Sequence, residues 1–134
     1  MLLTKASEYA LLSLIYISQK DVPVDVDTMS GELDISKSFL AKILQNLARE
    51  GILVSFKGAN GGFMLAQKPE EISIKRIIES AEKRKMAVFE CSISADSCAS
   101  SKGGMCQIWP MFSALQSKID DFLDTITLAN IIKK

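Results

Sequence analysis

The sequence predicts a mainly α-helical fold with one small β-hairpin and a long C-terminal helix. Two short helices separated by a turn are predicted between residues 25 and 50. An Asn-Gly turn, the strongest short signal for a β-hairpin, follows them at residues 60–61. Apolar residues then recur at alternating spacings of 4 and 3 from residue 108 to 126, as in helices that pack along one another. This order is typical of a winged helix-turn-helix followed by a dimerisation helix.

The first two helices are predicted from apolar patterning and from turn and capping residues. Residues 4–20 are largely apolar on all sides, so this helix is expected to be buried on more than one side. The sequence Asp-Val-Pro at residues 21–23 ends it. A second, short helix is capped by Asp25 or Asp27 and ends at Leu33.

The third helix and the hairpin complete the predicted winged helix-turn-helix. Ser36 caps the helix. Its core stripe, with spacings i, i+3, i+4 and i+7, consists of Leu40, Ile43, Leu44 and Leu47. Gly51 stands where a left-handed C-cap is expected. Strands are predicted over residues 52–57 and 63–67, on either side of a glycine-rich turn.

The second half of the chain is predicted to hold two longer helices. Residues 71–84 form an amphipathic helix, and residues 107–127 form the final long one, with Thr127 capping a last short turn. The seam of the long helix, which Met111 and Leu123 widen, consists of Ile108, Phe112, Leu115, Ile119, Phe122 and Ile126. This helix could fold back on its own domain. Dimerisation is favoured because a small core cannot cover both it and the apolar first helix. We therefore divide the chain into a DNA-binding region, 1–68, and a region of cysteine loop and dimerisation helix, 69–134.

Composition and charge restrict the class of protein. The chain has 134 residues, 48% hydrophobic and 24% charged, which indicates a globular protein. Its formal net charge is zero, which is mild evidence against nucleic-acid binding and requires any DNA-binding surface to be local. The apolar run at residues 10–17 is shorter than a membrane span, and no signal peptide is found. We expect a cytoplasmic protein with no membrane partner.

The outward face of the third helix predicts contact with double-stranded DNA. Opposite the core stripe lie hydroxyl, amide and cationic side chains, the groups that bind phosphates and base edges. They are Ser36, Lys37, Ser38, Lys42, Gln45 and Arg49, joined at the hairpin by Lys57 and Asn60. Any solvated helix face carries such residues. The hairpin that follows makes a DNA-reading helix in a major groove the better interpretation.

Three cysteines lie in one glycine- and serine-rich segment, Cys91-x6-Cys98-x7-Cys106. They are too many for one disulfide and one too few for a four-cysteine metal site. Thiolates are the ligands that iron–sulfur clusters require, but a thiol switch with one disulfide and a spare cysteine also fits. Structural zinc is less expected because paired C-x2-4-C knuckles are missing. An enzyme is not expected, since the sequence has no histidine, no nucleophile motif and no nucleotide-binding loop.

Several segments resemble the Rrf-type regulators. These segments are MLLTKASEYALLSL, ISKSFLAKILQNLAREGIL, the hairpin KGANGGFMLA and the closing DFLDTITLANII. The resemblance covers essentially the whole chain, and the hairpin motif is its most specific part. It implies a homodimeric winged-helix regulator that binds a palindromic operator. In cluster-binding members, three loop cysteines hold a [2Fe–2S] or [4Fe–4S] centre, and these match Cys91, Cys98 and Cys106.

Two departures from the family's iron–sulfur assembly repressor are informative. Its histidine ligand is replaced here by Trp109, and a glutamate that tunes its operator choice is replaced by Ala41. In the nitric-oxide-sensing branch, an acidic residue of the first helix, contributed by the partner subunit, completes the cluster site. The resemblance implies that role for Glu8, although an acid in a first turn is also favoured by the helix dipole. Some relatives lack a cluster and respond through cysteine oxidation or a protein partner, which remains the alternative.

Overall fold

The computed structural model describes residues 3–85, 87 and 107–132. Its helices are α1 (Lys5–Ser18), α2 (Val26–Leu33), α3 (Lys37–Arg49), α4 (Ile74–Glu82), α5 (Trp109–Thr125) and α6 (Leu128–Ile131), with a short 3-10 helix at Pro69–Glu71. Strands β1 (Leu53–Phe56) and β2 (Gly62–Leu65) form a two-stranded sheet. Helix, turn, helix and hairpin follow one another as expected, so the predicted fold class is confirmed.

Short polar side chains set the starts of α2 and α3. Asp25, and not Asp27, caps α2, because its carboxylate accepts a hydrogen bond from the backbone N–H of Thr28 at 3.0 Å. Ser36 caps α3 by accepting from the N–H of Phe39 at 3.3 Å. Each contact satisfies an N–H group that the first turn of a helix leaves without a backbone partner.

The hairpin is antiparallel and shorter than the sequence predicted. Leu53 lies opposite Leu65, and Phe56 lies opposite Gly62. Both strands therefore end inside the predicted segments 52–57 and 63–67. The side chains of Val54 and Phe56 remain exposed on β1.

The base of the hairpin is tied to the segment between α1 and α2. Val24 donates its N–H to the carbonyl of Phe63 at 3.0 Å and accepts from the Phe63 N–H at 2.9 Å. Gly62, next to this bridge, has a φ of +147°, and a Cβ there would lie 2.5 Å from the Val24 backbone. Only glycine fits this approach of two backbones.

One hydrophobic core joins both halves of the chain. Its members from the predicted DNA-binding region include Leu14, Leu40, Leu44, Leu47 and Ile52, and those from the second region include Ile72, Ile77, Ile78 and Leu128. The core therefore runs across the predicted division between residues 68 and 69. Helix α1 packs against α2, α3, α4 and β2, in agreement with a helix buried on more than one side. Within the described ranges, no helix is long and apolar enough to cross a bilayer.

The C-terminal segment pairs with the strand-like residues before α4. Ile74 donates its N–H to the carbonyl of Ile126, and Leu128 donates to the carbonyl of Ile72, both at 2.9 Å. The side-chain oxygen of Asn130 then accepts from the N–H of Thr127 at 2.8 Å, at the start of α6. These bonds place Leu128 fully inside the core.

Candidate nucleic-acid interface and sensing elements

The outward face of α3 carries the predicted DNA-binding side chains on the surface. Those of Lys42, Gln45 and Arg49 are exposed along one face of the helix, opposite the buried stripe. Ser36 is exposed too, but its hydroxyl already caps α3. These residues form one continuous polar surface of the kind that fits a major groove.

Lys37 is engaged by the neighbouring helix. Its ammonium lies 2.7 Å from the carboxylate of Asp27 on α2, and both side chains are largely exposed. Hydrogen bonding to Asp27 and the charge of that carboxylate raise the pKa of Lys37. A pair this exposed is weak, so a DNA phosphate could replace Asp27 as the partner of Lys37.

The hairpin turn carries Lys57 and Asn60 on the surface, beside Gly58 with a φ of +103°.

An arginine that was not predicted as functional holds the hairpin base against α3. The guanidinium of Arg76 donates to the carbonyl of Glu50 at 2.6 Å and to the side-chain oxygen of Gln67. Arg76 thereby links the end of α3 to the residues that follow β2.

Phe39 is an aromatic residue of the α3 surface that sequence reasoning missed. Its side chain is 41% exposed. The ring meets the ring of Tyr9 on α1 edge to face, with centroids 5.5 Å apart and planes at 84°. Position 39 lies between the core stripe and the outward stripe of the helix. This boundary position is the only feature of the sequence that could have identified Phe39 as a surface residue. The contact joins α1 to the DNA-reading helix.

The first turn of α1 is clamped to the last turn of α4. The carboxylate of Glu82 accepts from the N–H of Thr4 at 3.1 Å, from its hydroxyl at 2.5 Å and from the hydroxyl of Ser7 at 2.5 Å. Burial opposes the charged form, but the hydrogen bonds from Ser7 and Thr4 outweigh it and lower the pKa of Glu82. Residues 86–106, with the cysteines, follow Glu82 by only a few positions.

Glu8 is exposed in this same turn of α1. Its carboxylate lies 3.0 Å from the ammonium of Lys5, which in turn lies 5.8 Å from the centre of the Tyr9 ring. The cysteine segment that Glu8 is predicted to meet, that of the partner subunit, lies outside the described residues.

The predicted metal ligands other than Glu8 lie outside the described residues; they are Cys91, Cys98 and Cys106. Among residues 3–85, 87 and 107–132, no group of three or more His, Cys, Asp or Glu side chains comes together as a metal site. The predicted donor set is three thiolates and the exposed carboxylate of Glu8. Soft thiolates suit an iron–sulfur cluster, and a carboxylate is a harder ligand for a remaining iron position.

Helix α5 divides its apolar residues between two faces. Ile119, Leu123 and the adjoining Ile126 pack against the core of their own chain. The side chain of Gln116 is buried on this face and donates to Asp120 at 2.9 Å. The exposed stripe consists of Ile108, Met111, Leu115 and Phe122, the last being 61% exposed, while Phe112 is half-buried. Two of the six predicted seam residues, Ile119 and Ile126, therefore pack within the chain, and the exposed stripe is the part that a second subunit could cover.

Comparisons with known proteins agree with this architecture. Residues 3–134 match Rrf2, described as an iron-dependent transcriptional regulator. The chain belongs to the Rrf2 family. An HTH-type transcriptional regulator of Aquifex aeolicus is 32% identical, over 98% of this chain and 92% of that protein. The regulator NsrR of Geobacillus kaustophilus is 28% identical, over 99% of this chain and 90% of its own.

A solved structure with the same fold is that of CymR, the global cysteine regulator of B. subtilis. It aligns with a TM-score of 0.72 at 21% identity, over 98% of this chain and 95% of CymR. The chain is thus a DNA-binding transcription regulator of the Rrf2 family. Because the family consists of transcription regulators, the prediction that the chain is not an enzyme is confirmed.

Proposed function

We propose that this Rrf2 regulator is a homodimer whose affinity for a palindromic operator is set by an iron–sulfur cluster. Cys91, Cys98 and Cys106 would hold a [2Fe–2S] or [4Fe–4S] centre, with Glu8 as an oxygen ligand. The description of the family as iron-dependent supports this proposal. The donor set supports it as well, since three thiolates alone leave the cluster one protein ligand short.

One observation carries the proposal: contacts of the first turns of α1 join the end of α4, which precedes the cysteines in the sequence, to the predicted DNA-reading helix α3. Glu82 binds the first turn of α1, Glu8 pairs with Lys5 in that turn, and Tyr9 packs on Phe39 of α3. A change at residue 8 therefore acts on the helix that supports the reading surface. Coupling between two sites requires such an element with two arrangements that both sites bias.

The strengths of these contacts indicate which of them contributes most to coupling between the cluster and the operator. When bound, the cluster supplies an iron site that reacts with oxidants or nitric oxide. An exposed ion pair such as Lys5–Glu8 is weak, because water screens its charges, so breaking it alone would change operator affinity little. The larger part of the coupling must come from displacement of α1 as a whole, which moves Tyr9 against α3. Glu82 holds the first turn of α1 in the arrangement described here, while the rest of the helix is held by the core.

The cluster is tested by anaerobic purification and by four substitutions. The parent protein should be brown, with visible absorbance and bound iron and sulfide, and Cys91→Ala, Cys98→Ala and Cys106→Ala should each lose the cluster. Glu8→Ala should keep iron, shift the visible spectrum and weaken the dependence of operator affinity on cluster state. Glu32→Ala, another exposed glutamate on a helix, is the matched control and should behave as the parent. If Glu8→Ala matches the parent in all three properties, Glu8 is not a ligand.

A cluster-free regulator that responds through cysteine oxidation or a protein partner is the second candidate. The chain has three cysteines within 16 positions and no histidine, so thiols are its only strong soft ligands and also its most oxidisable groups. The structural likeness to a regulator named for cysteine shows the fold alone. Colourless, iron-free protein after anaerobic reconstitution with iron and sulfide would favour this candidate, with loss of free thiols on mild oxidation as its positive sign.

The DNA-reading surface has its own test. Lys42 and Gln45 stand at the centre of the exposed face of α3, so their replacement together by alanine should weaken binding of the operator. Contacts of this type contribute about 1–3 kcal/mol each. The dimer should be unaffected, since both side chains are far in sequence from α5. Unchanged operator affinity would mean that another face of the protein reads DNA.

A further inference from the structure

The exposed ring of Phe39 lies at the edge of the polar outward face of α3, which is the predicted DNA-reading surface. Its neighbours along α3 are polar, with Ser38 beside it and Lys42 one turn further on the same side of the helix. They do not form the contiguous apolar area that a protein partner needs. The packing on Tyr9 restricts where the Phe39 ring can lie. A large apolar side chain is thus held in a fixed position within a surface of hydrogen-bonding groups.

The position of Phe39 along α3 determines what it can reach. It is the third residue of the helix, and its N–H is the one that Ser36 caps. In helix-turn-helix proteins, the N-terminal residues of the reading helix contact base edges. A phenyl ring has no donor or acceptor for these edges, and the one apolar group in the major groove is the C5 methyl of thymine.

We propose that Phe39 reads a thymine methyl group, one in each half of the operator, and that Tyr9 is its positioning residue. The proposal rests on the DNA-binding function of the family and specifies one base that this chain selects. Tyr9 would act by limiting the freedom of the Phe39 ring, so that contact with the methyl costs little additional ordering. Lys42, Gln45 and the hairpin would supply the phosphate and polar base contacts around it.

The test compares thymine with uracil, which differ only by this methyl group. The full-length protein, purified anaerobically, first selects binding sites from a duplex library with about 20 randomised base pairs, two helical turns. Each thymine of the selected site is then replaced singly by uracil, and the ratio of the two affinities is measured. One thymine per half-site should show a loss of about fourfold, the scale of one methyl group leaving water. Replacing both symmetry-related thymines should cost roughly fifteenfold.

Variants assign the effect to Phe39. Phe39→Ala should bind the thymine and uracil duplexes equally, whereas Lys42→Ala should bind both more weakly and keep the fourfold ratio of the parent. A folding defect lowers both affinities alike and leaves the ratio unchanged, so the ratio is specific for the methyl contact. Tyr9→Leu should reduce the ratio of thymine-duplex to uracil-duplex affinity. Tyr9→Phe, which keeps the ring that meets Phe39, should keep the ratio of the parent.

Three results would overturn the proposal. They are equal binding of all uracil duplexes by the parent, a thymine preference that survives in Phe39→Ala, and selected sites without a thymine. Each of these leaves DNA binding itself intact. Enrichment of no site at all would instead overturn the DNA-binding assignment together with this proposal.

Discussion

Glu82 should contribute strongly to stability, because its carboxylate closes a polar contact between helices that are far apart in the sequence. Its carboxylate joins residues separated by 75 and 78 positions in the sequence. Replacing Glu82 with alanine removes the acceptor for three donors at once. One of these donors, the hydroxyl of Ser7, is only 1% exposed and cannot turn to water.

The cost can be worked out from these contacts. A buried hydroxyl left without a partner costs about 1–3 kcal/mol. The lower half of this range applies, because Ser7 can rotate to the carbonyl of Thr4, three residues earlier, as Ser18 does to that of Ile15 at 2.6 Å. The donors of Thr4 are near solvent and add about 0.5–1 kcal/mol after screening. We expect Glu82→Ala to lower the free energy of unfolding by about 2 kcal/mol, or the melting temperature by roughly 8 °C.

Urea unfolding at one fixed protein concentration measures this loss, since the stability of a dimer depends on concentration. Glu32→Ala removes an exposed glutamate and should remain within about 0.5 kcal/mol of the parent. A Glu82→Ala protein as stable as Glu32→Ala would refute the reasoning.

The same contact predicts a dependence on pH. The pKa of Glu82 is lowered in the folded protein, so its charge stabilises the fold above the unfolded pKa of about 4.3. That contribution is lost as the pH falls through the folded pKa. Glu82→Gln keeps an acceptor oxygen without the charge. The free energy of unfolding of this variant should therefore lie below that of the parent by a constant amount near neutrality, and the difference should shrink below about pH 4. A difference that grows in acid would contradict a stabilising role for the charge of Glu82.

Other predictions concern the dimer and the hairpin. Phe122→Glu should give a folded monomer by light scattering, because it places a charge in the exposed stripe of α5, and a stable dimer of this variant would exclude that stripe as the interface. Ile119→Glu should lose the folded state itself by circular dichroism, since Ile119 packs against its own core. Gly62→Ala should destabilise the protein by on the order of 1–3 kcal/mol through contact with the Val24 backbone. Gly31→Ala, in open space on α2, should be neutral or stabilising by about 0.5–1 kcal/mol, and equal melting temperatures for the two would refute the backbone argument. Lys57→Ala should reduce the slope of log affinity against log salt by about 0.9, one phosphate contact, and an unchanged slope would place the hairpin tip away from DNA.

Local chemistry made the helix starts and the hairpin predictable from the sequence. Ser36 caps α3 because its hydroxyl lies within three residues of the N–H that it satisfies. The choice between Asp25 and Asp27 remained open, since both carboxylates stand within one turn of the donors of α2. The strand ends differ from the prediction by one or two residues, although the N–H of Ala66 still donates to the carbonyl of Ile52 at 3.0 Å beyond them.

Contacts between distant polar groups could not be predicted. Nothing in the local sequence relates Glu82 to Ser7, or Arg76 to the carbonyl of Glu50, because such pairs arise only when the helices pack. The seam of α5 shows a related limit. Its periodicity identified an apolar helix surface, but not that Ile119 and Ile126 face their own core while Phe122 faces outward.

The pairing of residues 72–74 with 126–128 makes the core depend on a segment far from α3 in the sequence. Leu128 is fully buried, so a chain that stops before this residue lacks one member of the core that supports α3. Such a chain already contains residues 91–106. A protein shortened in this way would therefore keep all three cysteines while its helix-turn-helix loses packing.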